Sequence, residues 1–297
     1  MGKSLILQKA AHAAVLVAFF CVKTAARLLP LAWIPCAGAI LGDFARLLTP
    51  RDRKRAREHL KLAFPAWTNK KLEGCLKENF RHYGITLLEL FNASRLYGRV
   101  DIENPELLEN RPLMLATGHI GNWELFGQTL GTRGWPLSAV ARALYLPALN
   151  DYLVGSRSRA RFTTILRTSP DSGRLLLKAV KERHILAMLI DQDTKVEAVF
   201  VPFFGHMAAT PVGAARLALR KSLPVCVGAI VRTRAGRHRV ILHRVETAGL
   251  DEKTLTARLT AGLENIIRAH PTQWVWVHRR WKSTPRAGMP ESEKAGR

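Results

Sequence analysis

Hydrophobic positions along the chain change period near residue 112. Before it, apolar residues recur at helical spacing. Thr68-x-x-Lys71 opens the segment Lys70–Leu96, where Leu72, Leu76, Phe80, Tyr83, Leu87, Leu90 and Phe91 share a helical repeat. After it, short apolar runs bounded by turn residues alternate with amphipathic stretches. The runs Pro112–Thr117, Leu137–Arg142, Phe162–Leu166, Ile185–Ile190, Val199–Phe204, Pro224–Val231 and His238–Val245 predict strands. The stretches Asn122–Arg133, Pro147–Arg159, Ser172–Glu182, Pro211–Lys221 and Leu255–Ala269 predict helices. Strands alternating with helices predict an α/β fold, with a mostly parallel, buried sheet flanked by helices.

The N-terminal pattern is different again. Ala10–Val22 is apolar, with Lys3 and Lys9 before it and Lys23 after it. It is shorter than the ~18–20 residues of a clean transmembrane helix. Leu28–Leu48 is also apolar but carries Pro30, Pro35, Asp43 and Arg46, and the basic run Arg51–Arg57 follows at once. A secretory signal lacks a convincing cleavage site here. A buried helical hairpin is one alternative. The favoured reading is a membrane anchor, spanning or lying in the interface, with the basic run on the cytoplasmic side. The expected organisation is a membrane-associated helical segment at 1–50 and a main domain at 51–285. That domain comprises a helical layer at 51–97 and an α/β core at 98–285. A disordered tail is expected at 286–297.

Charge narrows the partners. Forty-six Lys and Arg stand against 23 Asp and Glu, a net +23. Such a chain seeks an anionic partner: nucleic acid, an acidic membrane surface or an acidic protein. No zinc-finger spacing, RNP-like motif or basic-aromatic platform supports nucleic acid. Cysteines 21, 36, 75 and 226 match neither a zinc knuckle nor a CxxC pair, which fits a reducing compartment.

In parallel sheets, ligands bind beyond the carboxyl ends of the strands. Polar residues gather there: Gly118-His119-Ile120-Gly121-Asn122-Trp123-Glu124, Ala141-Arg142, Asp191-Gln192-Asp193, and Gly205-His206 with Thr210-Pro211. His119 sits between a strand and a helix, flanked by Gly118 and Gly121. Glu124 falls in the first helical turn, and a turn of this length can fold the two side chains together. The carboxylate would then fix the imidazole tautomer and stabilise the imidazolium. A hydrogen-bonded structural histidine is the alternative. There is no H-E-x-x-H and no G-x-S-x-G, and no cysteine is placed as a nucleophile beside a histidine. Direct transfer, with histidine activating an acceptor hydroxyl, is therefore favoured over an acyl-enzyme. Arg157, Arg159 and Arg161 recur at alternate positions, either gripping anions or forming a solvated basic face.

HIGNWE resembles the His-x4-Asp/Glu motif of glycerolipid and lysophospholipid acyltransferases. The ordered set is more specific: His119–Glu124; Ala141-Arg142 with Asn150; Asp191-Gln192-Asp193; Phe200–Gly205 with Ala209-Thr210-Pro211; and Pro271–Lys282, ending in QWVWVHRRWK. By this set, spanning about 119–282, the chain resembles the late (lauroyl/myristoyl) acyltransferases of lipid A biosynthesis. The resemblance implies an enzyme on the cytoplasmic face of a bacterial inner membrane, without metal or cofactor. It implies acyl-acyl carrier protein as donor, and a hydroxyl of a phosphorylated lipid A precursor as acceptor. His119, Glu124 and Arg142 are the implied catalytic residues. Asn122, Trp123, Asn150, Arg157, Asp191, Asp193, Phe204 and Thr210 are expected to bind substrate or shape its site. Ala143 stands where the family often has proline. A related branch acylates mannosylated inositol lipids.

In the expected mechanism His119, held by Glu124, deprotonates the hydroxyl, and the alkoxide attacks the thioester. Arg142 or strand-end backbone N–H groups receive the oxyanion. Asp191 and Asp193 shape the site or hold Arg142. Alternatives are an acyltransferase using acyl-CoA on another glycolipid or lysophospholipid, a hydrolase with a metal at Asp191 and Asp193, and a non-catalytic lipid-binding protein.

Overall fold

The computed structural model describes residues 16–143, 147–234 and 236–284. The start of the Ala10–Val22 stretch and the expected tail at 286–297 lie outside the described residues. Among those described, helix α1 covers residues 16–28. Next come α2 (Ile34–Leu48), α3 (Pro50–Ala63) and α4 (Asn69–Phe91). The threonine at position 68 does cap α4, accepting from the Lys71 amide at 3.3 Å.

The α/β core follows: β1 (Val100–Ile102), β2 (Leu113–Thr117), α5 (Trp123–Thr132), β3 (Leu137–Ala141), α6 (Pro147–Arg159) and β4 (Phe162–Leu166). It continues with α7 (Ser172–Lys181), β5 (Ile185–Leu189), β6 (Ala198–Phe203), β7 (His206–Pro211) and α8 (Gly213–Arg220). It ends with β8 (Val225–Arg234), β9 (Arg237–Val245) and α9 (Glu252–Ala269). The main sheet has the order β1-β9-β8-β2-β5-β3-β4, and only the β8–β9 pair is antiparallel. β2 is central, and all five of its side chains are buried. That explains its uninterrupted apolar run: a parallel strand covered on both faces shows no alternation. Its odd and even residues serve opposite layers. Met114 and Ala116 pack with α3, α4, α8 and α9, while Leu113 and Leu115 pack with α5. Each fully buried side chain of this kind contributes about 1.5–3 kcal/mol.

One element departs from the expected sheet. The Val199 run is β6 of a separate two-stranded antiparallel hairpin, closed by Phe204 and Gly205, both at positive φ (52° and 77°). A two-residue turn of that hand matches strand twist and returns the chain at once as β7.

α2 lies on α4 through glycines. A Cβ on Gly84 would stand 2.0 Å from the Gly38 carbonyl oxygen, so the backbones touch. Pro35 sits in the first turn of α2, where no helical N–H is lost. The outer face of α2 exposes Ile40, Phe44, Leu47 and Leu48. Leu31–Leu48 is long and apolar enough to cross a membrane.

Candidate active site

β2 and β5 are neighbours, and Thr117 is the register partner of Leu189. Two residues beyond that pair, on the same sheet edge, stand His119 and Asp191. Asp191 Oδ1 lies 2.8 Å from His119 Nδ1, and Oδ2 accepts the His119 backbone N–H at 2.7 Å. Trp274 Nε1 also donates to Oδ2, at 2.8 Å. Burial favours the neutral acid at Asp191, but the facing imidazole and these bonds outweigh it and hold the carboxyl down at about 2. An ionised carboxylate only accepts, so Nδ1 carries a proton and donates it to Asp191, leaving Nε2 directed away from the carboxylate. The ring leans edge-on against Trp123, with centroids 5.0 Å apart.

The loop is fixed from the C-terminal segment. Gly121 donates its N–H to the Gln273 carbonyl at 2.8 Å, and Ile120 bridges Trp274. Gly121 has φ +60°, and a Cβ there would stand 2.1 Å from the Ile230 carbonyl oxygen, so glycine is required twice over. Asn122 caps α5, accepting from the Leu125 amide at 3.1 Å.

The expected partnership of Glu124 with His119 is corrected. Glu124 starts α5 and faces α6, where Arg157 grips it with two bonds of 2.9 and 2.5 Å. Arg157 also reaches Thr164 and stacks over Phe162. Its charge is therefore matched by Glu124 inside the fold, rather than displayed for an anion. Asp193 likewise has a structural partner set: Ser283 donates to it from N and Oγ, and Lys282 Nζ lies 3.6 Å away.

His119, Trp123, Glu124, Arg142, Asn150, Arg157 and Asp193 all line one cavity of about 1320 Å³. Its inner wall is apolar and buried, with Leu115, Phe126, Leu137 and Phe162. Its exposed charged lining is mainly cationic, with Arg142, Lys195, Arg220 and Lys282 against Glu197, which is paired with Arg216. Such a shape takes an alkyl chain inside and an anionic group at the mouth. Among the described residues, no three His, Cys, Asp or Glu side chains converge as a metal-holding group.

Phe204 and Thr210 are not in this cavity. Phe204 packs on Phe64 and Trp276, and Thr210 accepts from buried Arg280 at 2.5 Å. Both lie in the hairpin, which is not a sheet strand and so does not deliver them to the carboxyl edge.

A buried charged network supports the loop from behind. Glu89 on α4 takes two bonds from Arg232, of 2.9 and 2.6 Å, one from His238 at 3.1 Å and one from Asn122 at 3.2 Å. Arg232 also contacts His82 and Thr86. Burial opposes the Glu89 charge, but Arg232 and His238 together hold its carboxyl well below the usual range. Its sequence signal is a polar stripe at helical spacing, His82-Thr86-Glu89, on a helix otherwise read for its apolar residues.

A model of the bacterial lipid A biosynthesis acyltransferases matches residues 3–283. The chain belongs to this family. The lipid A biosynthesis palmitoleoyltransferase of Escherichia coli K12 is 28% identical over 264 residues, covering 84% of each chain. The lipid A biosynthesis lauroyltransferase of the same organism is 26% identical over 270 residues, covering 85% of this chain and 86% of its own. A phosphatidylinositol mannoside acyltransferase of Mycobacterium tuberculosis is 24% identical over 207 residues, covering 68% of this chain and 63% of its own. As a lipid A acyltransferase-family member, the chain is an acyltransferase.

Proposed function

We propose that this acyltransferase moves a fatty acyl group from acyl-acyl carrier protein to a hydroxyl of a lipid A precursor, by direct attack on the thioester. The observation that carries the reading is the His119–Asp191 pair, placed at an apolar cavity with a cationic mouth.

His119 Nε2 takes the proton of the acceptor hydroxyl as its oxygen attacks the thioester carbonyl. Asp191 keeps the ring in the required tautomer and balances the imidazolium. Arg142, at the end of β3, faces the developing oxyanion. The tetrahedral intermediate collapses, the carbon–sulfur bond breaks, and the imidazolium returns its proton to the departing thiolate. Glu124 acts through Arg157, fixing the wall beside the reacting centre. The acyl chain lies in the apolar interior, and phosphates of the acceptor and the acidic carrier meet the cationic mouth. The outer face of α2 rests in the bilayer interface, and the basic α3 binds anionic headgroups on the cytoplasmic side of the bacterial inner membrane.

The test is product mass spectrometry with purified full-length enzyme, a lipid A precursor and acyl-acyl carrier protein, with acyl-CoA in parallel. Transfer from the carrier thioester is expected, falling by ~10²–10⁴-fold in His119→Ala. Equal use of acyl-CoA would remove the donor assignment, and undiminished turnover in His119→Ala would remove the mechanism.

A further inference from the structure

A second cavity, of about 290 Å³, lies on the other side of Trp123. Its walls are Tyr83, Leu87 and Leu90 of α4, Trp123, and Val275 and Val277 of the C-terminal segment. Leu90, Trp123 and Glu124 line both cavities, so the two share one partition beside His119.

The cavities differ in charge. The large one is lined by several Arg and Lys side chains, whereas no Lys or Arg lines the small one among the described residues. Its carboxylate, Glu124, is already held by Arg157. His82 at its wall is neutral, because burial and then the Arg232 charge depress it to about 3. The small cavity therefore offers no cation to a phosphate or carboxylate and, being mostly apolar, favours hydrocarbon.

Its position indicates where the hydrocarbon comes from. Leu87 is 38% exposed and stands at the outer edge of this cavity. It is three residues past Gly84, the α4 position pressed against α2, and so about 60° away around the helix. α2 in turn exposes Ile40, Phe44 and Leu47. Leu87 thus connects the surface of α4 to the cavity, whose far wall is the partition at Trp123.

We propose that the second cavity binds an alkyl chain of the lipid acceptor. The proposal rests on the reading above of a lipid acceptor that meets a thioester donor at His119. Two chain-bearing substrates must converge on one imidazole. The donor chain fills the large cavity behind the cationic mouth, where a soluble acidic carrier docks. The acceptor chain enters past Leu87 and reaches the Trp123 partition from the small-cavity side, so neither chain displaces the other.

The experiment uses the full-length enzyme with lipid A precursors carrying short or long acyl chains. KM for each is measured with one acyl thioester, and precursor binding is measured without donor. In Leu87→Trp the added ring fills the cavity. KM and Kd for the long-chain precursor should rise about tenfold, the effect of losing roughly two buried methylenes, with the short-chain values unchanged. Donor chain-length preference should stay as in the wild type. Leu87→Ala, at a half-exposed site that tolerates truncation, should raise the long-chain values about threefold through lost wall contact. Equal effects on both precursors, no effect on either, or a shifted donor preference would overturn the proposal. A wild type that binds long-chain precursor through Leu87 but transfers nothing would overturn the transferase reading alone.

Discussion

Asp191 takes both the ring Nδ1–H and the backbone N–H of His119, at 2.8 and 2.7 Å, across a sequence separation of 72. Each residue stands two positions beyond the Thr117–Leu189 register pair that ends two adjacent parallel strands, so the sheet register brings them together. A histidine held at ring and backbone by one buried carboxylate loses rotational freedom in advance, and its second nitrogen is aimed by the sheet.

Asp191→Asn should therefore act on the chemical step. The amide keeps a similar shape but supplies no negative charge for an imidazolium, and it can favour the wrong tautomer. A fall in kcat of ~10²–10⁴-fold is expected, with donor and acceptor affinity within a few-fold of wild type. Stopped-assay kcat together with substrate binding checks this. Wild-type kcat in Asp191→Asn would mean that His119 needs no anionic partner.

Glu124 should behave differently, because its partner is Arg157. Glu124→Ala strands a largely buried guanidinium and should destabilise the fold by about 3 kcal/mol, while Glu124→Gln keeps one hydrogen bond and should lose less. Adding Arg157→Met to Glu124→Ala should recover part of that stability. Denaturant titration of the single and double variants in detergent measures the coupling. Strict additivity would show that the pair is not an energetic unit.

The fold is largely legible in the pattern of the chain, and the site only partly. Pro147–Arg159 and Phe162–Leu166 emerge with their expected bounds because period and flanking turns are local properties. Strand order is not local. His119 and Glu124 are close in sequence, so the search for a carboxylate stops there, whereas Asp191 becomes a neighbour only when β5 is laid beside β2. The Val199 run shows the same limit: an apolar run specifies a strand but not its partner, and only the left-handed Phe204–Gly205 turn diverts it into a hairpin. Glu89 is hidden for another reason. A polar residue on a helix reads as a solvated face until Arg232, from β8, is seen to cover it.

The same network should give the protein an acid-sensitive stability. The folded-state pKa of His82 is depressed to about 3, first by burial and then by Arg232, so the unfolded chain binds a proton that the folded chain refuses. The His82 contribution is complete above its ordinary pKa of about 6.5 and is lost as pH falls from there toward about 3. Its slope is roughly 1.4 kcal/mol per pH unit. His82→Asn, which can still accept from Arg232, should reduce the slope of unfolding free energy between about pH 6 and about pH 4 by close to one proton. An unchanged slope would show that His82 titrates normally in the fold.

Removing Glu89 should be among the costliest single changes. Glu89→Ala leaves the buried Arg232 without its counter-charge and Asn122 without its Glu89 acceptor, and should destabilise by about 3–5 kcal/mol. Glu89→Met with Arg232→Met removes both charges and should cost less than the two single changes summed, which a double-variant cycle reads directly. A Glu89→Ala chain as stable as the wild type would mean that water replaces the carboxylate.

Two glycines on α4 provide a paired test of how the helical layer is attached. At Gly84 an added Cβ would stand 2.0 Å from the Gly38 carbonyl oxygen and 2.7 Å from the Gly42 nitrogen, whereas at Gly74 it would meet nothing within 4 Å. The intrinsic helix preference is the same at both positions, favouring alanine by about 0.5–1 kcal/mol. Only packing separates them. Gly74→Ala should therefore raise the thermal midpoint. Gly84→Ala should lower it, because α2 must move away from α4 at a cost of about 1–3 kcal/mol. The obstructing atoms are backbone, so no side-chain rotation relieves the contact. Thermal unfolding of both variants in the same detergent supplies the comparison, with limited proteolysis reporting on the release of α2. If Gly84→Ala matches Gly74→Ala in stability and proteolytic resistance, the close approach of α2 to α4 is not what holds the layer in place.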